Sequence, residues 1–185
     1  MKNLLTMLVV MMALFAGPLL AEERPLGMTE QGLYNYLMGE KAPVTSGEPG
    51  LTHEKVVETE SAEGETYKTT YLKLSYQGKP VGKARLDDTG VIDELIIESP
   101  LVRHEAGYGV GTEWREAARS FPGGELIYTY VSDSLFAQSE YLEGLQLHLD
   151  KSDYQGKKPL DGEFQKISES ELKPTAKIKK IRLYR

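Results

Sequence analysis

The sequence predicts an α+β fold, in which a mainly antiparallel sheet of about six to seven strands carries two or three short helices packed on it. Three observations support this prediction. Between residues 55 and 97, apolar–polar runs alternate and are separated by short turns, most of them containing glycine, as in a meander of hairpins. Apolar residues then recur at helical spacing from Trp114 to Phe121. Strand-like runs return after residue 124.

The first 21 residues have the parts of a secretory signal peptide. Lys2 precedes an apolar run of 17 residues from Leu4 to Leu20, and Ala21 stands before the polar Glu22. We expect cleavage after Ala21, export to the periplasm and no stable membrane anchor afterwards. An uncleaved anchor is the alternative, because about 17 residues is the lower limit for spanning a bilayer.

Residues 22–52 are predicted to form an N-terminal linker with a short helix, and residues 53–185 a single α+β domain. Thr29 could cap that helix, and an apolar face at helical spacing follows it at Leu33, Tyr34, Leu37 and Met38. The stretch from 41 to 51 is rich in Pro, Gly, Ser and Thr, which predicts a loop.

The predicted strands span residues 55–59, 66–76, 80–86, 91–97, 125–131, 141–150 and 177–184. Strand 91–97 is apolar on both faces, which predicts a place inside the sheet. In strand 141–150, alternation puts His148 on the solvated face. The pattern slips at Lys179-Lys180, which predicts a β-bulge.

Two further helical segments are predicted. Thr112 would cap a helix over 113–120, whose apolar stripe packs on the sheet and which ends at Pro122-Gly123-Gly124. One helical turn is predicted over 168–172, before Pro174.

Charge and composition exclude several classes of protein. The net charge is −6, and loss of Lys2 with the signal peptide leaves 21 basic and 28 acidic residues, a net charge of −7. Such a chain is a poor general ligand for nucleic acid or for an anionic membrane. It contains no cysteine, so disulfides, thiol catalysis and lipidation of an N-terminal cysteine are excluded.

One loop is a candidate for a ligand site. Gly107, Gly109, Gly111 and Thr112 lead into the predicted helix at 113, where backbone amides could hold an anion. The pattern is not a dinucleotide fingerprint, and no lysine follows to reach a phosphate. The simpler interpretation is that the glycines let a crowded loop pass the edge of the sheet.

We expect no enzyme, no cofactor and no metal site. His53, His104 and His148 have no paired spacing of metal ligands. No nucleophile motif is present, although Ser132 and His148 could still be brought together in space with an acid.

A basic run closes the chain. Six lysines and arginines lie between Lys173 and Arg185 without an acid. They could bind an anionic envelope component or an acidic protein, or they could pair with the glutamate-rich hairpin at 54–65 and keep an edge strand soluble.

The order of three segments resembles the RpoE-regulated envelope lipoprotein family of Gram-negative bacteria. These are TGVIDELIIESP from Thr89, GYGVGTEWREA from Gly107 and LKPTAKIKKIRLYR from Leu172. The resemblance implies an envelope protein, expressed under cell-envelope stress, whose domain has no assigned function. It supplies no functional residues. The cysteine of the family's lipobox is missing, because Leu19-Leu20-Ala21 meets Glu22.

The function expected from the sequence is therefore non-enzymatic binding of an envelope protein or component in the periplasm. The alternative is a small-ligand or anion-binding module that uses the loop from Gly107 to Thr112.

Overall fold

The computed structural model describes residues 24–62 and 65–185, with the side chains of 60–62 left out. The predicted signal peptide, residues 1–21, lies outside the described residues. No helix within the described part of the chain is long and apolar enough to cross a membrane.

The described residues form thirteen strands in two sheets. The strands are β1 Leu26–Thr29, β2 Gly32–Leu33, β3 Tyr36–Leu37, β4 Leu51–Ala62, β5 Glu65–Tyr76, β6 Lys79–Leu86, β7 Ile92–Ile97, β8 Val102–His104, β9 Gly124–Thr129, β10 Ser134–Ser139, β11 Leu145–Leu149, β12 Gln165–Ile167 and β13 Ile178–Tyr184. One sheet has the order β3-β2-β1-β8, and the other has the order β12-β9-β10-β11-β13-β7-β6-β5-β4.

The predicted α+β class is wrong, because the described chain is mostly β. It contains one α-helix, α1 (Trp114–Ala117), and two short 3₁₀ helices, Lys151–Asp153 and Glu169–Glu171. The helix expected from Thr29 is replaced by β1, β2 and β3. Gly32 and Tyr34 have φ angles of 149° and 54°, which a right-handed helix does not allow. Of the apolar residues expected on the helix face, Leu33 is buried, Leu37 and Met38 are half-buried, and Tyr34 is exposed.

Helix α1 is half the length predicted for it. The expected burial of its stripe is confirmed, since Trp114, Ala117 and Phe121 are buried and Ala118 is half-buried. Thr112 is not its cap: Glu113 occupies the N-cap position, without a side-chain hydrogen bond. The turn predicted near Ser168 is the second 3₁₀ helix, which Ser168 and Glu171 close as a capping box.

The meander from β4 to β7 is confirmed, and β7 lies inside the sheet between β6 and β13. The bulge is confirmed too. His148 pairs with Lys180 and Leu149 with Ile178, so Lys179 is the extra residue. Strand β10 was not predicted, because its sequence SLFAQS shows only a short apolar stretch.

One hydrophobic core joins the two sheets and α1. It takes side chains from the small sheet, such as Leu26 and Leu33, from α1 and from the inner face of the large sheet. Polar side chains cross the outer face of the large sheet. Buried Glu94 accepts a hydrogen bond from Arg182 and lies 3.4 Å from Arg85, which also bonds Asp93 at 2.8 Å.

Candidate functional site

The glycine loop uses its backbone donors internally. Gly107 N donates to His104 O at 2.8 Å, and Gly109 N donates to Thr112 Oγ1 at 3.0 Å. Gly111 N donates to Ile178 O at 2.8 Å, and Thr112 N donates to Gly109 O at 3.1 Å. Thr112 Oγ1 also accepts from Arg103 Nη1 at 2.7 Å. None of the four predicted residues therefore keeps a free amide for an anion, and the helix that follows has only four residues.

The loop instead buries an aromatic side chain. Tyr108 stacks on His104 with ring centroids 4.5 Å apart, and its ring meets Phe121 edge-on at 6.0 Å. Burial raises the pKa of Tyr108, with further contributions from Glu30 and Glu105. The Tyr108 hydroxyl has no hydrogen-bond partner among the described residues. The structure thus supports the structural interpretation of these glycines.

His104 lies beside Glu30 without a strong bond to it. His104 Nδ1 accepts from Ala106 N at 3.1 Å, which leaves the proton on Nε2. Nε2 is 3.5 Å from Glu30 Oε1, close enough for an ion pair but outside hydrogen-bond geometry. Burial lowers the pKa of His104, so the ring is neutral at pH 7 and the contact is weak.

A groove lies between the segment of α1 and the end strands of the large sheet. Its volume is about 540 Å³, within the size range of small-molecule sites. Its floor includes the apolar side chains of Trp114, Ala118, Phe121, Leu126 and Ile167, most of them almost fully buried. The turn at 122–124 and the charged residues Glu125, Lys166 and Glu169 complete the lining, so polar atoms contribute as much of its surface as apolar ones. The sequence pattern indicated one wall, from Trp114 to Phe121. It did not indicate Leu126 and Ile167, because only strand pairing between β9 and β12 brings them together.

The wall formed by α1 is held by the start of β13. Trp114 N donates to Ala176 O at 2.8 Å, and Ile178 N donates to Thr112 O at 2.9 Å. The Trp114 ring packs edge-on against Phe121 at 6.4 Å. Trp114 is 4% exposed, and its Nε1–H has no acceptor among the described residues. A buried donor without an acceptor costs about 1–3 kcal/mol, so this residue is an unexplained feature of the groove.

Paired charges form the rim of the groove. Lys166 Nζ lies 2.7 Å from Glu125 Oε1, across the β9–β12 pair. Arg115 Nε lies 4.0 Å from Glu169 Oε1. Apolar and charged side chains therefore both line the groove, and it suits a chain segment that makes both kinds of contact.

A second, polar cavity of about 380 Å³ lies on the outer face of the large sheet around His148. The predicted exposure of His148 is wrong, since the residue is 7% exposed between Phe136 and Lys180. All five residues of β11 are buried, so alternation did not mark a solvated face. Burial, followed by Lys180 and Arg182, lowers the pKa of His148 to about 3.

No hydrogen bond joins the described side chains of Ser132 and His148, the pair considered from the sequence. His148 Nε2 lies instead 3.2 Å from Gln146 Oε1, and the backbone oxygen of Ser132 accepts a bond from Ser134 Oγ at 3.0 Å. A histidine with a pKa near 3 is also a weak general base at pH 7. No group of three or more potential metal ligands occurs in the described part of the chain.

Among the side chains that the structure describes, no ion pair joins the basic run at the C-terminus to the hairpin at 54–65. Arg182 bonds Glu94, and Lys173 Nζ lies 3.9 Å from Asp153. Strands β7, β6 and β5 separate β13 from β4. Glu58 of the hairpin is paired instead with Lys73 and Lys83, at 3.0 Å and 3.5 Å.

Comparison with known proteins adds information on the fold. The crystal structure of the uncharacterized protein yfeY from Escherichia coli matches with a TM-score of 0.53 and 13% sequence identity, covering 86% of this chain and 99% of that chain. No family model matches the chain. No curated protein matches it either. The chain therefore shares its fold with an uncharacterised protein. Any functional site has to be inferred from the residues of this chain.

Proposed function

We propose that this protein is exported to the periplasm and binds an extended segment of another envelope protein in the groove beside Trp114, without catalysis. The observation that carries the proposal is the groove itself, in which apolar side chains lie beside the charged residues Glu125, Lys166 and Glu169. A mixed surface with two acids and one base suits a peptide segment better than a phosphate or a nucleic acid.

The edge strand beside the groove favours an extended peptide as the occupant. Strand β12 pairs with β9 on one side, and no described strand pairs with its other side. Extended peptides commonly add to such edges, where main-chain bonds provide affinity and nearby pockets take alternate side chains. Ile167 of β12 lines the groove, so a side chain of the added peptide would lie near the apolar side chains of the floor.

Export to the envelope is supported by the sequence. The signal-peptide features of residues 1–21 and the resemblance to the RpoE-regulated envelope lipoproteins both support a periplasmic location. Without a lipobox cysteine, the released chain would be free in the periplasm. A role in envelope homeostasis or stress follows from the resemblance alone.

Two variants, in each of which phenylalanine replaces an alanine, test the binding site. Ala118→Phe places a large ring in the groove, whereas Ala106→Phe places the same ring on an exposed loop. Purified protein and both variants are immobilised and exposed to periplasmic extract of the producing bacterium. We expect a reproducible envelope protein to bind the parent and Ala106→Phe, and its capture by Ala118→Phe to fall at least tenfold.

Two outcomes would contradict the proposal. Equal capture by both variants would place the partner outside the groove. Conversion of a substrate by the purified protein, with a rate that Ala118→Phe abolishes, would make the groove an active site. Far-ultraviolet circular dichroism reports whether each variant keeps its fold, because fluorescence of Trp114 would change with any substitution in the groove that it lines.

A further inference from the structure

The opposite end of the large sheet is a long, regular edge. Strand β4 has twelve residues, and its pairing with β5 runs over twelve residue pairs without a register shift. By contrast, the β5–β6, β6–β7 and β11–β13 pairs each contain an irregularity. Strand β4 contains no proline. Natural edge strands are usually short, bulged or interrupted by proline, so β4 lacks three of the common defences against added strands.

The outer side of β4 is open along most of its length. In the described ranges 24–62 and 65–185, no strand pairs with that side. The preceding loop covers only its beginning: Leu51 N donates to Glu48 O at 3.1 Å, and Ser46 Oγ donates to Leu51 O. Beyond that point, the edge presents backbone donors and acceptors to solvent.

The distal half of the β4–β5 hairpin projects from the sheet as an arm. Strand β6 pairs with β5 only from Thr70 onward, so residues 65–69 pair with β4 alone. Val57 is 60% exposed and Tyr67 is 48% exposed. A two-stranded ribbon without a buried face is marginally stable in water, and a further strand would bury part of it.

The charges of the arm determine which strand it accepts. Residues 57–69 contain four glutamates and one lysine. Glutamate at such density attracts a basic segment and repels an acidic one. Glu58 already pairs with Lys73 and Lys83 within the fold, so the attraction for a basic strand comes from the other glutamates of the arm and from Glu54.

A second copy of the chain does not fit this edge. When a two-fold axis relates two β4 strands, even-numbered residues lie opposite even-numbered ones and odd-numbered opposite odd-numbered ones, because side chains alternate between the faces of a sheet. If the two-fold axis passes through Glu54, Lys55 or Glu58, that residue lies opposite its own copy in the second chain. If the axis passes through residue 56, Glu54 lies opposite Glu58 of the second chain. If it passes through residue 57, Glu54 lies opposite the glutamate at position 60. Like charges directly opposite destabilise a sheet.

We propose that the outer edge of β4 is a second interaction surface, which binds a basic, extended segment of a partner protein as an added strand. The surface is independent of the groove, since β4 and β12 form opposite ends of the nine-stranded sheet. The partner contributes main-chain hydrogen bonds along the edge, and its lysines and arginines face the glutamates of the arm.

Amide hydrogen exchange with a defined peptide tests the proposal. The probe is a ten-residue peptide of alternating lysine and valine with blocked ends, and the control peptide has glutamate in place of lysine. We expect the lysine peptide to slow exchange at least tenfold in those amides of β4 that point away from β5. We expect the glutamate peptide to have no effect. Raising the salt concentration should weaken the effect, because the charges are exposed.

Charge-matched variants separate strand addition from general attraction. Glu54→Lys alters the edge at an exposed residue, and Glu116→Lys makes the same change in net charge at an exposed site elsewhere. Glu58 is left unchanged because it pairs with Lys73 and Lys83 within the fold. The edge variant should lose at least tenfold in affinity for the lysine peptide, and the control variant about twofold. Equal loss by both variants, or binding without protection of β4 in the parent protein, would overturn the proposal. A concentration-dependent dimer that the lysine peptide dissociates would also overturn it, in favour of a second copy.

Discussion

At the scale of single residues, the histidines show which properties a sequence pattern predicts and which it does not. None of the three has the paired spacing of metal ligands, but spacing alone does not predict their environments. His148 lies on a strand with a clean apolar–polar alternation, which predicts exposure on its polar face. The side chain is nevertheless buried against Phe136 and beside Gln146. Burial on the second face depends on neighbours from β10 and β13, which local sequence does not specify.

The low pKa of His148 makes stability depend on pH. Its pKa falls from 6.5 to about 3 in the fold, through burial first and then Lys180 and Arg182. Between those values the unfolded chain binds a proton that the folded chain excludes. Stability from this group is therefore full above pH 6.5 and is lost as pH falls toward 3, at about 1.4 kcal/mol per pH unit. His104, whose pKa burial also lowers, adds a loss of the same sign.

Replacing His148 by glutamine removes that titration. Urea unfolding followed by Trp114 fluorescence should show a free energy of unfolding that falls between pH 7 and pH 4.5 in the parent, and falls less in His148→Gln. The remaining slope in the variant comes from His104 and the carboxylates. Parallel pH profiles for parent and variant would mean that His148 titrates equally in both states.

At the scale of elements, the loop before α1 illustrates what glycine does here. The sequence allows two roles for its glycines, anion binding and passage of a crowded chain. The structure supports the second, because the four amides bond within the protein. A Cβ atom on Gly109 would lie 2.7 Å from Val102 O and 2.9 Å from Arg103 Cδ. The need for glycine at this position is steric.

Substitution of Gly109 therefore acts on stability and not on a ligand. We expect Gly109→Ala to lower the free energy of unfolding by about 1–3 kcal/mol, since a clash with backbone forces local movement. Gly27→Ala is the matched control, because a Cβ atom added there would have nothing within 4 Å and the backbone is extended; its cost should stay below about 0.5 kcal/mol. Equal costs in urea unfolding would show that the loop around Gly109 adapts freely.

At the scale of the whole molecule, sequence patterns predicted the meander that forms one end of the large sheet, but not the order of the strands beyond it. The meander from β4 to β7, the interior position of β7 and the bulge at Lys179 follow from local alternation and were predicted. The small sheet was not predicted, because its strands have only two to four residues, too few to show an alternation of apolar and polar side chains. Its first strand also pairs in parallel with β8, more than 70 residues later.

The same limit applies to the binding surfaces. One wall of the groove was visible as the apolar stripe of α1, but its other wall requires β9 and β12 to pair across about 40 residues. The open edge of β4 requires knowing that β4 is the last strand of the sheet. Local patterns specify elements, whereas the positions of edges and grooves follow from long-range pairing.

The groove is proposed to hold an envelope protein after export of the chain. Site-specific photocrosslinking in living cells tests this most directly, with the photoreactive residue at position 166 on the groove rim or at position 88 in the exposed β6–β7 turn. We predict that the protein is recovered from the periplasm with Glu22 as its first residue, and that one envelope protein is crosslinked from position 166 and not from position 88. Retention in the cytoplasm, or the same crosslinked products from both positions, would contradict the proposal.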